Sequence, residues 1–424
     1  MKTIITLLAL TLGASAACAK TTVLTADRMI DVENGKLITN AVVVMEDNTI
    51  VAAGTKRSVT IPSDADVMAL GDYTLMPGLM DMHVHLTSDA TKHGYKRLAD
   101  SLPRVTLTGV KHAKATLMAG FTTVRNVGAP GFADVALRDA INDGDIQGPR
   151  MFVSGPSLGV TGGHCDNNLL PYEFHTVSEG VADGPWAVRE IVRRNIKYGA
   201  TVIKFCGTGG VLSKGTKVGV QQYTFEEMQA LVDEAHMRGL TVATHAHGTS
   251  GIKTAIKAGV DSVEHVSLLD EEGIELALKH GTYFSMDIYV TEYILGEGEK
   301  AGILEESLAK ERIVGKRQRE NFQKAVKAGV KMVFGSDAGV YPHGDNGKQF
   351  ARMVRFGMTP MQAIQAATIH PATLLKQQET LGSISAGKKA DIVGVKGNPL
   401  DDISLLENVG LVVKDGHIVK SVAM

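Results

Sequence analysis

The sequence has few cysteines, few aromatic residues and no excess of charge of either sign. Its 424 residues include three cysteines, and aromatic residues make up 5% of the chain. The formal net charge of −2 gives no electrostatic footprint for nucleic acid. Cysteines this sparse do not form a disulfide framework, and neither Cys165 nor Cys206 lies in a C-x-x-C redox pair. We therefore expect both to be small buried side chains, and we expect small molecules as partners.

Long apolar runs are missing after the first residues of the chain, so no membrane span is predicted there. Residues 1–19 have the pattern of an export signal, with a positive start, an apolar stretch and the small-x-small cleavage site Ala17-Cys18-Ala19. Lipidation of Cys18 is an alternative, although Ser15 stands where a bulky aliphatic residue is expected. We expect an exported enzyme, periplasmic or secreted.

The length predicts one large core with a smaller addition. A chain of 424 residues suits a (β/α)8 barrel that carries extra segments. Short strands separated by turns fill the region up to about residue 75, and similar strands return after about residue 378. We expect residues 20–75 and 378–424 to pair into one small β domain, and residues 76–377 to form the barrel.

Apolar strands alternate with helical stretches between these two ends. One helix is marked by a capping box at Thr224 and Glu227 and by a stop at Gly239, and another begins at Thr359-Pro360. Eight alternating units predict a parallel α/β barrel whose functional groups lie at the C-terminal ends of the strands. The eight candidate strands end near His85, Val127, Gly155, Cys206, His247, Val266, Tyr289 and Asp337.

Metal-ligating residue types close several of these strands. His83 and His85 are two residues apart in a strand, so both side chains lie on one face and can reach one cation. Imidazole and carboxylate ligands suit zinc and its first-row neighbours. An H-x-H pair alone is a weak signal, but further residues of this chemistry close later strands. These residues are Lys204, His245, His265 and Asp337.

Lys204 ends an apolar strand, where an isolated ammonium ion is costly to desolvate. Three interpretations compete: a Schiff-base nucleophile, a buried ion pair, or a lysine that has taken up carbon dioxide as a carbamate. The carbamate is an anion with two oxygens that can bridge two metal ions. A site otherwise rich in neutral histidines favours this third interpretation.

The later strands complete the predicted centre. His245 and His265 would supply a second metal, with Lys204 as the bridge. His247 lies on the same face as His245, and we favour His245 as the ligand and His247 as a substrate contact. Asp337 would bind metal, accept the proton of a metal-bound water and return that proton to a leaving amine.

Three segments of the chain closely resemble the amidohydrolase superfamily. They begin at Met76-Pro77-Gly78, Gly335-Ser336-Asp337 and Leu381-Gly382-Ser383. Segments at Gly120-Phe121-Thr122 and Thr161-Gly162-Gly163 narrow the resemblance to the imidazolonepropionase-related branch. That branch includes Xaa-Pro dipeptidases and enzymes that split ochratoxin to release phenylalanine.

The resemblance implies a (β/α)8 TIM barrel with a composite β-sandwich formed by both termini. It assigns His83, His85 and Asp337 to one divalent metal and His245 and His265 to the other, with carboxylated Lys204 between them. Zinc is the favoured metal, although its first-row neighbours stay open, and barrels of this family often associate as homo-oligomers. Substrate contacts are expected from positions on the strand-end loops. These are His164, Tyr223, His247, Ser88, Asp89, Tyr289 and His343.

The sequence therefore predicts a binuclear metal-dependent amidohydrolase for a dipeptide or an N-acyl amino acid. Either His164 or Tyr223 would bind a substrate carboxylate or the carbonyl oxyanion. Hydrolysis of a lactone, a cyclic amide or a phosphotriester is an alternative, because the same metal centre serves all of these reactions. A barrel that binds a ligand without catalysis is the alternative from a different class.

Overall fold

The computed structural model describes residues 21–421, so the predicted export signal lies outside the described residues. The strands of this part of the chain are labelled in chain order. They are β1 Thr21–Asp31, β2 Lys36–Glu46, β3 Thr49–Thr55, β4 Asp66–Ala69, β5 Tyr73–Pro77, β6 Leu79–Val84, β7 Phe121–Asn126, β8 Arg150–Val153, β9 Val202–Cys206, β10 Thr241–Ala246, β11 Ser262–His265, β12 Tyr283–Ser285, β13 Met332–Val333, β14 Ile392–Lys396, β15 Leu411–Lys414 and β16 His417–Lys420.

The α-helices follow the same convention. They are α1 Leu102–Met118, α2 Ala133–Asn142, α3 Pro185–Lys197, α4 Phe225–Met237, α5 Thr249–Ala258, α6 Glu271–His280, α7 Val290–Ala301, α8 Glu305–Ala328, α9 Lys348–Arg355, α10 Pro360–Ala366 and α11 Ile369–Leu374. Short 3₁₀ helices also occur, including one at Gly94–Ala99 that borders the cavity described below. Across residues 21–421, each helix is too short or too polar to span a bilayer.

Strands from both ends of the chain share one sheet. Its order is β16-β15-β14-β5-β1-β2-β3, and β4 pairs with β1. The two ends meet where β14 runs antiparallel to β5, with Ile392 opposite Pro77. The predicted pairing of the termini is therefore confirmed. The C-terminal run is divided into β15 and β16 by a turn at Asp415 and Gly416, which both have positive φ.

The eight predicted central strands correspond to β6–β13. They form a three-stranded parallel sheet, β6-β7-β8, and a five-stranded parallel sheet, β13-β12-β11-β10-β9. Backbone hydrogen bonds join the sheets at both edges, from Met82 N to Phe334 O at 2.8 Å and from Thr201 N to Val153 O at 2.8 Å. With helices between successive strands, this is an α/β fold of the TIM-barrel type.

Helix ends in the central region follow local sequence signals. Thr224 caps α4 and exchanges hydrogen bonds with Glu227, so the predicted capping box is confirmed. Thr359 caps α10 in the same way, and Pro360 is its first residue. The segment that ends at Tyr289 differs from the prediction, since β12 ends at Ser285. The residues up to Tyr289 form a loop that leads into α7.

The cysteines correct another prediction. Cys165 and Cys206 were expected to be separate buried side chains, but they are joined by a disulfide with a Cα–Cα distance of 5.9 Å. They are 41 residues apart in sequence, and only the fold brings the loop of Cys165 against the end of β9. The disulfide ties the loop that carries His164 to the strand that carries Lys204.

Candidate metal centre

A cavity of about 770 Å³ opens where the central parallel strands end. The fold brings the six predicted metal-type residues together in its wall, although they come from five separate segments. This arrangement follows from the parallel direction of the strands, which places their C-terminal ends at one edge. The six residues are His83, His85, Lys204, His245, His265 and Asp337.

One half of the centre is formed around Asp337. Its Oδ1 atom lies 3.4 Å from His83 Nε2 and 3.5 Å from His85 Nε2. His83, His265 and Asp337 each offer one ligand atom, and these three atoms lie within 4.8 Å of one another. The His83 and His85 rings meet edge to face, with centroids 5.3 Å apart. Three of the residues that the sequence assigned to one metal therefore converge.

The other half contains three imidazoles rather than the two expected. Ligand atoms of His245, His247 and His265 lie within 4.8 Å of one another. The His247 and His265 rings are stacked with centroids 4.8 Å apart, and His245 meets both rings edge to face. His247 is thus placed where it can bind a metal as well as a substrate. His265 belongs to both halves and lies at their junction.

Three of the imidazoles have fixed orientations because one ring nitrogen of each is already engaged. His83 Nδ1 lies 3.0 Å from Glu264 Oε2, and His265 Nδ1 lies 2.9 Å from Asp287 Oδ1. His247 Nδ1 lies 2.7 Å from the Ser267 hydroxyl. Partners of this kind set the tautomer and direct the Nε2 lone pair towards a metal.

Glu264 was missed as a functional residue in the sequence. It is fully buried between His83 and Arg125, whose Nη2 donates to Glu264 Oε1 at 2.8 Å. Burial opposes ionisation of Glu264, but Arg125 and then His83 hold its pKa well below the usual value. Arg125 itself lies in β7, a strand whose six residues are all buried, and a charge there is costly, as it is for Lys204. That signal would have found this pair.

The backbone is strained at two of the converging residues. His265 has φ 70° and Asp337 has φ 58°, values in the left-handed region that residues other than glycine rarely adopt. Such conformations cost of order 1–3 kcal/mol each and persist where the surrounding structure imposes them. His265 is the last residue of β11, whereas Asp337 lies four residues after the end of β13, and both line the cavity.

Lys204 is 3% exposed and lies on β9 in the same cavity wall. Burial lowers the pKa of its amine to about 8, an effect that Glu264 opposes and Arg125 reinforces. A lowered pKa increases the neutral fraction of the amine. The neutral amine is the form that both the carbamate and the Schiff-base interpretation need, so it argues against the buried ion pair.

Burial also keeps most of the histidines neutral. It lowers the pKa of His85 to about 4, with a further contribution from Lys204, and it lowers the pKa of His245 well below the usual value. His265 differs, because Asp287 outweighs the effect of burial and raises its pKa. Burial raises the pKa of Asp337 to about 8. Neutral imidazoles are the form that binds metal ions.

The donor set fits divalent metal ions. Among residues 21–421, His245 Nε2 is buried and lacks a hydrogen-bond partner, which is costly unless a ligand satisfies the atom. Imidazole nitrogens together with one carboxylate suit zinc and neighbouring first-row ions. The cluster of histidines therefore has the chemistry of a metal centre, in keeping with the sequence prediction.

The predicted substrate contacts divide into two groups. His164, His247, Ser88 and Asp89 line the cavity. His164 stacks on His245 with ring centroids 4.0 Å apart, and its Nδ1 lies 2.8 Å from the Ser213 hydroxyl. These positions agree with contacts to a substrate bound beside the metal centre.

The other three residues lie outside the cavity lining, which corrects their predicted place. The Tyr223 hydroxyl donates to Ala182 O at 3.0 Å from a buried position. Tyr289 packs edge to face on Tyr341, and His343 stacks on His112 with Nε2 3.1 Å from His85 O. Their side chains pack among the residues around the strands. The position of a residue near a strand end does not by itself determine this orientation.

Comparison with known proteins supports this geometry. The sequence profile of the Amidohydrolase family matches residues 74–419. The chain is 33% identical to the ochratoxinase of Aspergillus niger over 411 residues, which cover 92% of this chain and 84% of that protein. A solved Xaa-Pro dipeptidase with methionine bound in the active site is 39% identical, with a TM-score of 0.89 and coverage of 95% of this chain and 100% of that one.

A solved prolidase complexed with N-methylphosphonate-L-proline is also similar. It is 32% identical and has a TM-score of 0.87, and the match covers 95% of this chain and 100% of that one. The fold and the sequence thus point to the same group of proteins.

Proposed function

Because this chain belongs to the amidohydrolase family and is a hydrolase that acts on C–N bonds, we propose that it cleaves a dipeptide or an N-acyl amino acid with two divalent metal ions. The observation that carries the proposal is the convergence of five histidines, Lys204 and Asp337 in one cavity wall. His83, His85 and Asp337 hold one ion, and His245 and His265 hold the other. His247 is an additional candidate ligand.

Lys204 is proposed to bridge the two ions as an N6-carboxylysine. Its buried position in the same cavity wall and its lowered pKa support this assignment. The ions, which we propose to be Zn²⁺, would supply a water of lowered pKa and polarise the substrate carbonyl. The remaining chemistry is assigned to side chains of this chain.

Asp337 is proposed to move the proton. It accepts the proton of the attacking water as general base and returns it to the leaving nitrogen as general acid. Its carboxylate lies 3.4 Å from His83 and 3.5 Å from His85, and this closeness to the candidate ligands supports the role. His164, stacked on His245, lies where it can donate to the carbonyl oxygen. Either an Xaa-Pro dipeptide or an amide that releases phenylalanine, as in ochratoxin, fits this scheme.

Turnover on four substrates tests the proposal. We would measure kcat/KM for an Xaa-Pro dipeptide, an N-acyl-phenylalanine, a lactone and a phosphotriester, with the metal content of each preparation determined by mass spectrometry. We expect about two divalent ions per chain and the highest kcat/KM on one of the amides. Highest activity on the lactone or the phosphotriester would reject amide hydrolysis as the main reaction. Full activity in a metal-free preparation would reject the metal centre.

The domain architecture and the cellular location are also part of the proposal. We propose that the eight central strands close into a complete barrel over residues 76–377, and that residues 20–75 and 378–424 form a β-sandwich. We also propose export, which the Cys165–Cys206 disulfide supports because such bonds persist in oxidising compartments. N-terminal sequencing of protein recovered outside the cytoplasm would test export; a chain that keeps residues 1–19 would contradict it.

A further inference from the structure

The charged side chains of the cavity wall differ in whether they have a partner within the protein. Every carboxylate in the lining already has a partner within the protein, as Asp100 has in Lys92 at 2.7 Å and Glu179 has in the backbone N–H of Gly131 at 2.8 Å. The full set is Asp89, Asp100, Asp166, Glu179, Asp287, Glu311 and Asp337. Apart from the Lys92–Asp100 pair, none of these carboxylates forms an ion pair with a lysine or arginine of the lining.

Arg97 is one of the cations that remain. It belongs to the 3₁₀ helix Gly94–Ala99 and lines the cavity. Among residues 21–421, its guanidinium makes no side-chain hydrogen bond, ion pair or ring contact, whereas Lys214 in the same wall donates to the Tyr95 hydroxyl at 2.8 Å. Arg97 is exposed, so a ligand in the cavity can reach its guanidinium, which stays charged. An accessible cation without a protein partner is suited to an anionic ligand.

Arg97 lines the same cavity as the metal-type residues. His164, which stacks on the metal-type residue His245, is also part of this lining. Leucine and valine side chains line the wall beside Arg97, including Leu98, Leu102 and Val105.

We propose that Arg97 binds the α-carboxylate of the amino acid on the amine side of the scissile amide. The substrate is then an N-acyl amino acid with a free carboxylate and an apolar side chain that packs against Leu98, Leu102 and Val105. A guanidinium recognises a carboxylate through two parallel hydrogen bonds, which fixes the orientation of the substrate as well as its charge. This inference rests on the proposed amide hydrolysis.

Two substrates that differ only at the carboxylate test the assignment. We would compare N-acyl-phenylalanine with N-acyl-phenylalaninol, in which a neutral CH₂OH replaces the carboxylate, and measure kcat and KM separately. The wild-type enzyme should prefer the acid by about 30-fold or more in kcat/KM. Arg97→Met should reduce kcat/KM on the acid by a similar factor, mainly through KM, and change the value on the alcohol by less than about 3-fold.

Two further variants separate recognition from structure. Arg97→Lys keeps the charge and should retain part of the preference, whereas Lys214→Met removes another cation of the same wall and should leave the preference unchanged. Equal losses on both substrates in Arg97→Met, with no rescue in Arg97→Lys, would show a structural role and overturn the proposal. A wild-type enzyme that cleaves both substrates equally would overturn it while leaving amide hydrolysis intact. A wild-type enzyme that cleaves neither would reject the proposed function and this inference with it.

Discussion

Glu264 Oε2 lies 3.0 Å from His83 Nδ1, and this contact fixes the orientation of the His83 ring, a candidate metal ligand. Arg125 holds the opposite carboxylate oxygen of Glu264 at 2.8 Å, while its Nε atom donates to Met82 O at 2.6 Å. The three side chains form a buried chain from β7 through β11 to β6. The carboxylate orients the His83 ring and increases the basicity of its free nitrogen.

Replacing Glu264 should weaken metal binding without removing a ligand. Glu264→Gln keeps the size of the side chain but loses the charge that supports His83, so we expect metal affinity to fall by about 10- to 100-fold. Competition with a chelator, followed by metal analysis, measures the change.

Glu234 offers a matched control for this experiment. It is 1% exposed and pairs with Arg193 Nε at 2.8 Å, but it lies on α4 away from the cavity lining. Glu234→Gln also breaks a carboxylate–arginine pair, and it should leave metal affinity unchanged. Equal metal retention in the two variants would contradict the role assigned to Glu264.

Lys204 should be indispensable, and its role should be recoverable by a small carboxylate. Lys204→Ala removes the proposed bridge, so we expect activity to fall by more than about 100-fold. Millimolar acetate or propionate should restore part of it by occupying the vacated space. Lys204→Gln fills that space with a neutral amide and should resist such rescue. Near wild-type activity in Lys204→Ala would rule out the carbamate.

Much of this centre could be predicted because its signals are local. The strands β6, β9, β10 and β11 carry metal-binding side chains within two residues of their C-terminal ends, and parallel strands bring such ends together. Lys204 was recognisable because a charge at the end of an apolar strand needs a partner. The same reasoning applied to Arg125 leads to Glu264.

The rest depended on contacts between distant segments. The Cys165–Cys206 disulfide forms only because the loop after β8 folds over β9. Tyr223, Tyr289 and His343 lie near strand ends in sequence, but tertiary packing turns them away from the cavity. The positive φ angles of His265 and Asp337 likewise oppose the local preference of these residues. No sequence motif marks Arg97, and its lack of a partner is visible only in the folded cavity.

Asp337 should be required mainly for proton transfer. Asp337→Asn keeps an oxygen that can face a metal but cannot accept a proton, so we expect kcat to fall by about 10²- to 10⁴-fold. Metal content measured in the same preparation separates this loss from a loss of ligand. An amide with a more acidic leaving amine should suffer a smaller reduction in kcat, because its departure needs less protonation. A uniform loss across leaving groups, with metal retained, would contradict the role of general acid.

The disulfide should stabilise the fold and hold the His164 loop near the metal centre. A bond that closes a loop of 41 residues reduces the entropy of the unfolded chain by an amount worth at most about 4 kcal/mol. We therefore expect the Cys165→Ser/Cys206→Ser double variant to unfold at a lower urea concentration than the oxidised wild type. Wild-type protein treated with a reductant should match the double variant, and the reductant should leave the double variant unchanged. Identical midpoints for oxidised and reduced wild type would show that the bond contributes nothing to stability. Because the bond ends beside Lys204 and His164, the double variant should also show a raised KM at full metal content, as the His164 loop becomes free to leave the cavity wall.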